Sequence, residues 1–260
     1  MTKVIAIANQ KGGVGKTTTT ISLGAALAEL GANVLLVDMD SQGTLSVALG
    51  VNSTNGTMYD VLRDMDIAIE NVLLATATNC QLAPSDVHLA GAEVELINEP
   101  GREFILRTKL GAVEHRFDYA LIDCPPSLGV LTLNAFTAAN QIMIPVQCQY
   151  LAFRGMQMLL TTIAKVKTRL NPGLEILGIL PTFYDKRTRH SREVMQQLKE
   201  YYGEKVIDIP IPATIKFADT TTAGESILTY SNASPAAAAY RKLAKEVHNG
   251  KTDKRGQTPR

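Results

Sequence analysis

Cysteine is scarce in this chain, charge is nearly balanced, and no apolar run is long. The three cysteines, Cys80, Cys124 and Cys148, are odd in number, widely spaced and free of any C-x-x-C pair. That pattern argues against a disulfide framework and for reduced thiols in a cytosol. Lysine and arginine number 26 against 25 aspartates and glutamates, a formal net charge of +1. Bulk charge therefore does not draw the chain to a polyanion, and a nucleic-acid partner requires a local patch. No uninterrupted apolar segment approaches the ~20 residues that span a bilayer. The N-terminus runs straight into a strand without a basic n-region and apolar stretch, so no signal peptide is expected. Repeats, low-complexity blocks and Pro/Gly/Ser linkers are lacking ahead of the tail. Together these absences predict a cytoplasmic protein. With 260 residues, 45% of them hydrophobic, the chain can fill the core of one α/β domain. Residues 1–249 are expected to form it, and Gly250 to Arg260, polar and charged, to be a disordered tail.

What is there is concentrated in N-Q-K-G-G-V-G-K-T-T-T-T, from Asn9 to Thr20. Val4-Ile5-Ala6-Ile7-Ala8 before it reads as a buried strand, and Ile21, Leu23, Leu27 and Leu30 after it recur at helical spacing. Strand, glycine loop, helix is the context that a phosphate-binding loop demands. Gly12, Gly13, Val14 and Gly15 would turn backbone N–H groups toward phosphate oxygens, with the helix N-terminus adding its positive end. Lys16 would reach the β/γ-phosphates, Thr17 would offer its hydroxyl to Mg²⁺, and Thr18 would complete the cradle. Lys11 is a second lysine at the front of the loop, with little room to reach the same nucleotide.

Further along, strands and helices alternate, which predicts a mostly parallel, twisted sheet covered by helices on both faces. Val34–Val37 is an apolar strand that ends in Asp38-Met39-Asp40, two carboxylates at the crevice where open α/β sheets bind ligands. Residues 53–75 read as a peripheral loop with short helices, and Gln81–Ser85 as an edge strand. Helices are expected over 87–98, 104–113, 128–139, 153–170, from 192 to about 202, and over 236–247. Asp118–Asp123 is a strand whose closing acid, Asp123, is the Walker B candidate for the metal, stiffened beyond by Pro125 and Pro126. Strands at 141–146 and 174–180 precede the basic cluster Lys186 to Arg192, and Lys205–Pro210 reads as a late strand.

Four stretches carry a family resemblance: K-G-G-V-G-K-T-T at 11–18, V-D-M-D-S-Q-G at 37–43, I-D-C-P-P-S-L-G at 122–129, and the closing A-A-Y-R-K-L-A-K-E-V. The chain resembles the ParA/Soj-type deviant Walker A partition ATPases along its whole length. The resemblance implies an ATP-closed sandwich dimer that binds double-stranded DNA without sequence preference. A cargo adaptor then stimulates hydrolysis and releases the ATPase. It also implies Lys11 as the lysine that crosses to the partner's phosphates and Gly12 at the dimer seam. Asp40 would position the attacking water, Asp38 would share that switch and the metal, and Thr182 and Pro212 would lie at the adenine pocket. There are departures: Ser41 follows Asp40 where the family has proline, and Ile211-Pro212-Ala213-Thr214-Ile215-Lys216 holds a single cation. These departures are compatible with a side branch, and the carboxysome-positioning McdA-like ATPases are similar.

Catalysis in such a site is positioning and charge compensation, with ATP and Mg²⁺ as cofactors. For DNA, the residues available are Lys186, Arg187, Arg189 and Arg192, with Lys199 and Lys216 as neighbours, doubled in a dimer. Three other readings share the P-loop. A membrane-cycling ATPase like MinD needs a C-terminal amphipathic helix, and His248 to Arg255 offers nothing to insert. An iron–sulfur reductase would need Cys124 and Cys148 as paired ligands. A metabolic P-loop enzyme like the biotin-synthesis ligases would use the loop to activate a small substrate.

Overall fold

Apolar, β-branched runs supply the strands, and the computed structural model describes them within residues 2–51, 55–149 and 155–250. The strands are β1 Lys3–Ile7, β2 Val34–Asp38, β3 Leu74–Ala75, β4 Gln81–Ala83, β5 Tyr119–Asp123, β6 Gln141–Gln147 and β7 Glu175–Thr182. Helices α1 Lys16–Glu29, α2 Thr44–Ala48, α3 Met58–Arg63, α4 Leu89–Glu95, α5 Ile105–Val113 and α6 Val130–Ala138 come first. Then follow α7 Met156–Arg169, α8 Arg189–Tyr202, α9 Lys216–Ala223, α10 Ile227–Tyr230 and α11 Pro235–His248. The sheet order is β3-β4-β2-β5-β1-β6-β7, parallel except for β3 against β4. The expected single α/β domain with a mostly parallel sheet is what forms.

Alternation along the central strands fills two cores. Ala6, Leu35, Val37, Ala120 and Ile122 face α3 to α8 on one side. Ile5, Ile7, Leu36 and Leu121 face α1, α2, α10 and α11 on the other. On that second face α1 lies so close to β2 that a Cβ on Gly24 would stand 2.7 Å from Leu36 Cδ2. The buried Thr19 and Tyr240 hydroxyls, 3.1 Å apart, join α1 to α11. Every parallel strand therefore delivers its C-terminal end to the same edge, where the P-loop begins.

Three expectations are corrected. Gln81–Ala83 is not the edge, because Leu74–Ala75, read as loop, pairs antiparallel with it. Lys205–Pro210 makes a single bridge, Val206 to Ile179, rather than a strand. Ile207 and Ile211 do donate to Ile179 and Pro181, but Pro181, Pro210 and Pro212 have no N–H to continue a ladder. The helix expected to follow the basic cluster begins within it, at Arg189 behind the Thr188 cap. The starting point at Phe153 and residues 251–260 of the tail lie outside the described residues.

Candidate nucleotide site

The P-loop is held from both ends before it meets any ligand. Asn9 donates through Nδ2 to the Pro145 carbonyl at 2.7 Å and accepts the Lys11 N–H at 3.0 Å. Thr182 donates its hydroxyl to the Val14 carbonyl at 2.8 Å. Gly15 has φ 88°, so glycine serves the left-handed turn that opens α1. Helix α1 starts at Lys16 with no side-chain cap and no acid in its first turn. Its leading N–H groups are left for an anion, the donor set a polyphosphate needs.

Lys16 is buried, and the Thr17 hydroxyl donates to Asp123 Oδ2 at 2.6 Å. The parallel register sets Asp38 beside Asp123 at the ends of neighbouring strands. Burial, then the Asp38 carboxylate, pushes Asp123 up to about 8, against the Thr17 bond and Lys16. Burial likewise lifts Asp38 to about 6, opposed by hydrogen bonds from Ser46 and Asp40. Two buried carboxylates that repel one another favour a cation between or beside them. Hard oxygen donors from Thr17 and Asp123 suit Mg²⁺, which keeps most of its shell as phosphate and water. Among the described residues no group of three or more His, Cys, Asp or Glu comes together as a closed cage, and Mg²⁺ at phosphates needs none.

Gly12, Gly13, Gly15, Lys16, Thr17, Thr18 and Asp40 line one cavity of about 290 Å³, joined by Thr44, Pro126 and Phe183. Pro126 is one of the two prolines expected to stiffen the segment beyond Asp123, whereas no sequence pattern singled out Thr44 or Phe183. Phe183 is a non-glycine residue at φ 52°, directly after β7, and only its place at a strand end hinted at the site. Other expected residues lie elsewhere. Val14 is buried, and Thr182 is spent on the loop backbone beneath the cavity. Pro212 borders a separate cavity of about 380 Å³ with Lys216, Ser231 and Pro235. Lys11 Nζ rests 3.5 Å from Gln147 Oε1 at the end of β6, outside the crevice lining.

The basic cluster is less positive than its sequence suggests. Arg187 makes a bidentate pair with Asp185, at 3.0 and 2.8 Å. Arg189 pairs with Glu193 at 2.6 Å and Lys199 with Asp208 at 2.6 Å. Arg192 donates to the Lys186 carbonyl, and Lys216 donates to Ser231 at 2.7 Å. The three thiols are buried and free. Burial raises Cys80 to about 11, Cys148 to about 12 and Cys124 higher still, so none is poised as a thiolate.

Strand, glycine loop, uncapped helix and buried carboxylates define a P-loop nucleoside-triphosphatase. The family model described as AAA domain matches residues 2–176. The chain is 49% identical over 248 residues to an uncharacterized protein of Mycobacterium tuberculosis, covering 94% of this chain and 78% of that one. It is 44% identical over 249 residues to the sporulation initiation inhibitor protein Soj of Bacillus subtilis, at 95% and 98% coverage. With the chromosome partitioning protein ParA of Caulobacter vibrioides it shares 41% over 259 residues, at 98% and 97%. A Mycobacterium smegmatis structure called cobyrinic acid a,c-diamide synthase, with ADP and magnesium, superposes at TM-score 0.87 with 42% identity over 100% of both chains. An ATP complex of Cyanothece McdA gives TM-score 0.83 with 25% identity, at 95% and 96%. The chain belongs to the ParA/Soj family of partition ATPases.

Proposed function

We propose that this ATPase is a dimerising switch: two copies close over ATP, bind double-stranded DNA without sequence preference, and part when an adaptor on the cargo stimulates slow hydrolysis. The observation that carries this reading is Lys11. Its ammonium lies against Gln147, away from the cavity that Lys16, Thr17 and Asp40 line, so its charge is available to a neighbouring copy's triphosphate. Within one copy, Lys16 and the α1 N-terminus would bind and orient the phosphates, Thr17 and Asp123 would hold Mg²⁺, and Asp38 would share the switch beneath. Mg²⁺ held there would supply charge neutralisation for the triphosphate. Asp40, at the rim, orients water in line with the γ-phosphate. Pro212 and its cavity flank the base.

The DNA contacts are assigned to Lys186, Arg192 and Lys216, with Arg187, Arg189 and Lys199 contributing once their carboxylate partners yield to phosphate. Two copies double these contacts, and affinity rises steeply with their number. Non-specific DNA places the working protein on the nucleoid in the cytoplasm, with no membrane step. Soj and ParA outrank McdA in identity, which favours a chromosome or plasmid over a carboxysome as cargo. A mobility assay at fixed salt tests this: retention of duplex DNA with ATP and its loss with ADP are expected. Equal retention with both nucleotides contradicts it.

The name of the Mycobacterium smegmatis structure favours one other reading, a P-loop enzyme that uses ATP to form an amide on an acid. Phosphate release that depends on an added carboxylic acid and an amide donor would select it; release stimulated by DNA and adaptor selects the switch.

A further inference from the structure

Asp40 sits in the turn between β2 and α2, and hydrogen bonds from outside the turn fix the peptide groups on both of its sides. Its N–H donates to Asp38 Oδ1 at 3.2 Å. Its carbonyl accepts the Ser85 hydroxyl at 2.9 Å. The Ser85 N–H donates to Ser46 Oγ at 2.9 Å, and the Ser46 hydroxyl donates in turn to Asp38 Oδ2 at 2.7 Å. The Ser46 N–H gives that same oxygen a second bond at 2.9 Å. These bonds close a ring that enters Asp40 through its N–H and leaves through its carbonyl. Asp38, Ser46 and Ser85 are all buried. The turn also lies close to its support: Gly43 has φ 59°, and an added Cβ there would stand 2.9 Å from the Ser85 carbonyl oxygen.

We propose that Ser85, through Ser46, is a positioning residue for ATP hydrolysis, holding the Asp40 turn at the distance from the P-loop at which its carboxylate orients water. This rests on the reading of Asp40 as the water-orienting residue. Ser85 lies two residues beyond β4, in a segment that contributes nothing to the lining of the phosphate cavity, so it acts on the reaction only through the turn. A hydroxyl at this place fixes a backbone carbonyl rather than a side chain. Losing it cuts the turn's tie to the segment after β4, leaving the Gly43 N–H on the Asp40 carbonyl at 2.9 Å and the Gln42 N–H on Asp40 Oδ1 at 3.0 Å, and removes no group that touches nucleotide. Small displacements of an orienting group cost large factors in rate, on the order of 10² for about 1 Å.

The test is single-turnover hydrolysis by the full chain with ATP and Mg²⁺, comparing wild type, Ser85→Ala, Asp40→Ala and the double variant. Ser85→Ala is expected to slow turnover about 10-fold to 100-fold while ADP affinity stays within about twofold, as a positioning effect requires. In the Asp40→Ala background the same change is expected to add no further loss, because the residue through which it acts is gone. Unchanged turnover in Ser85→Ala, a parallel loss of ADP affinity, or multiplicative losses in the double variant overturns the positioning role while leaving Asp40 in place. Normal turnover in Asp40→Ala removes the reading of Asp40 itself, and the proposal with it.

Discussion

Replacing Lys11 with alanine separates a lysine that binds its own nucleotide from one lent to another copy. The Lys11 ammonium lies 3.5 Å from Gln147 Oε1 and is outside the cavity lined by Lys16 and Thr17. Removing it should leave ADP binding by a single copy within about twofold, because no contact to the phosphate cradle is lost. The loss appears when two copies close. One unit charge about 4 Å from a γ-phosphate oxygen contributes about 4 kcal/mol at an effective dielectric of about 20. Spent wholly in the transition state, that is about 10³ in rate; partial use in the ground state lowers it to about 10². Calorimetry with ADP and phosphate release with ATP, each run on wild type, Lys11→Ala and Lys16→Ala, give the comparison. Lys16→Ala is expected to lose nucleotide binding outright. Were Lys11→Ala to lose ADP affinity to the same degree, the lysine would be acting within its own copy. Undiminished turnover would show that no second cation is needed.

Two predictions concern the scaffold that carries the site. Lys109, almost fully buried, donates to the carbonyls of Asp64, Met65 and Ile67 at 2.9, 2.8 and 2.6 Å. Lys109→Met keeps the length but strands those acceptors, and should cost about 2–4 kcal/mol in urea unfolding at unchanged m-value; a loss below about 0.5 kcal/mol would contradict the assignment. Gly178 on β7 faces Ile207, and a Cβ there would meet Ile207 Cγ1 at 2.6 Å and the Lys205 carbonyl at 3.2 Å. Gly178→Ala should therefore destabilise by about 1–3 kcal/mol, lowering the melting temperature by several degrees, and an unshifted melting curve would show that the 205–207 segment yields freely.

The parts of this protein legible from sequence are those written in consecutive residues. The P-loop follows from glycines between an apolar strand and a periodic helix, and Asp123 from an acid closing a strand. What escaped depends on residues far apart in the chain. Ser46 and Ser85 are 39 positions apart and meet only because β2 and β4 are neighbours. The basic run from Lys186 to Arg192 looked like a patch because Asp185 and Glu193 were read apart from it, and Asp208 returns to Lys199 from beyond α8. Phe183 entered the site through a left-handed backbone that composition does not signal. The Lys205–Pro210 run had the apolar content of a strand, but Pro210, Pro212 just beyond it and Pro181 of β7 lack the donors a ladder requires.

The switch requires two copies to enclose ATP, and the mass of the protein in solution tests this most directly. Asp40→Ala, which should bind ATP and Mg²⁺ but hydrolyse slowly, can be measured by light scattering behind size exclusion. The expected result is about 56 kDa with ATP and 28.1 kDa with ADP. A mass of one chain under both conditions, at concentrations well above those that saturate the site, would contradict the switch.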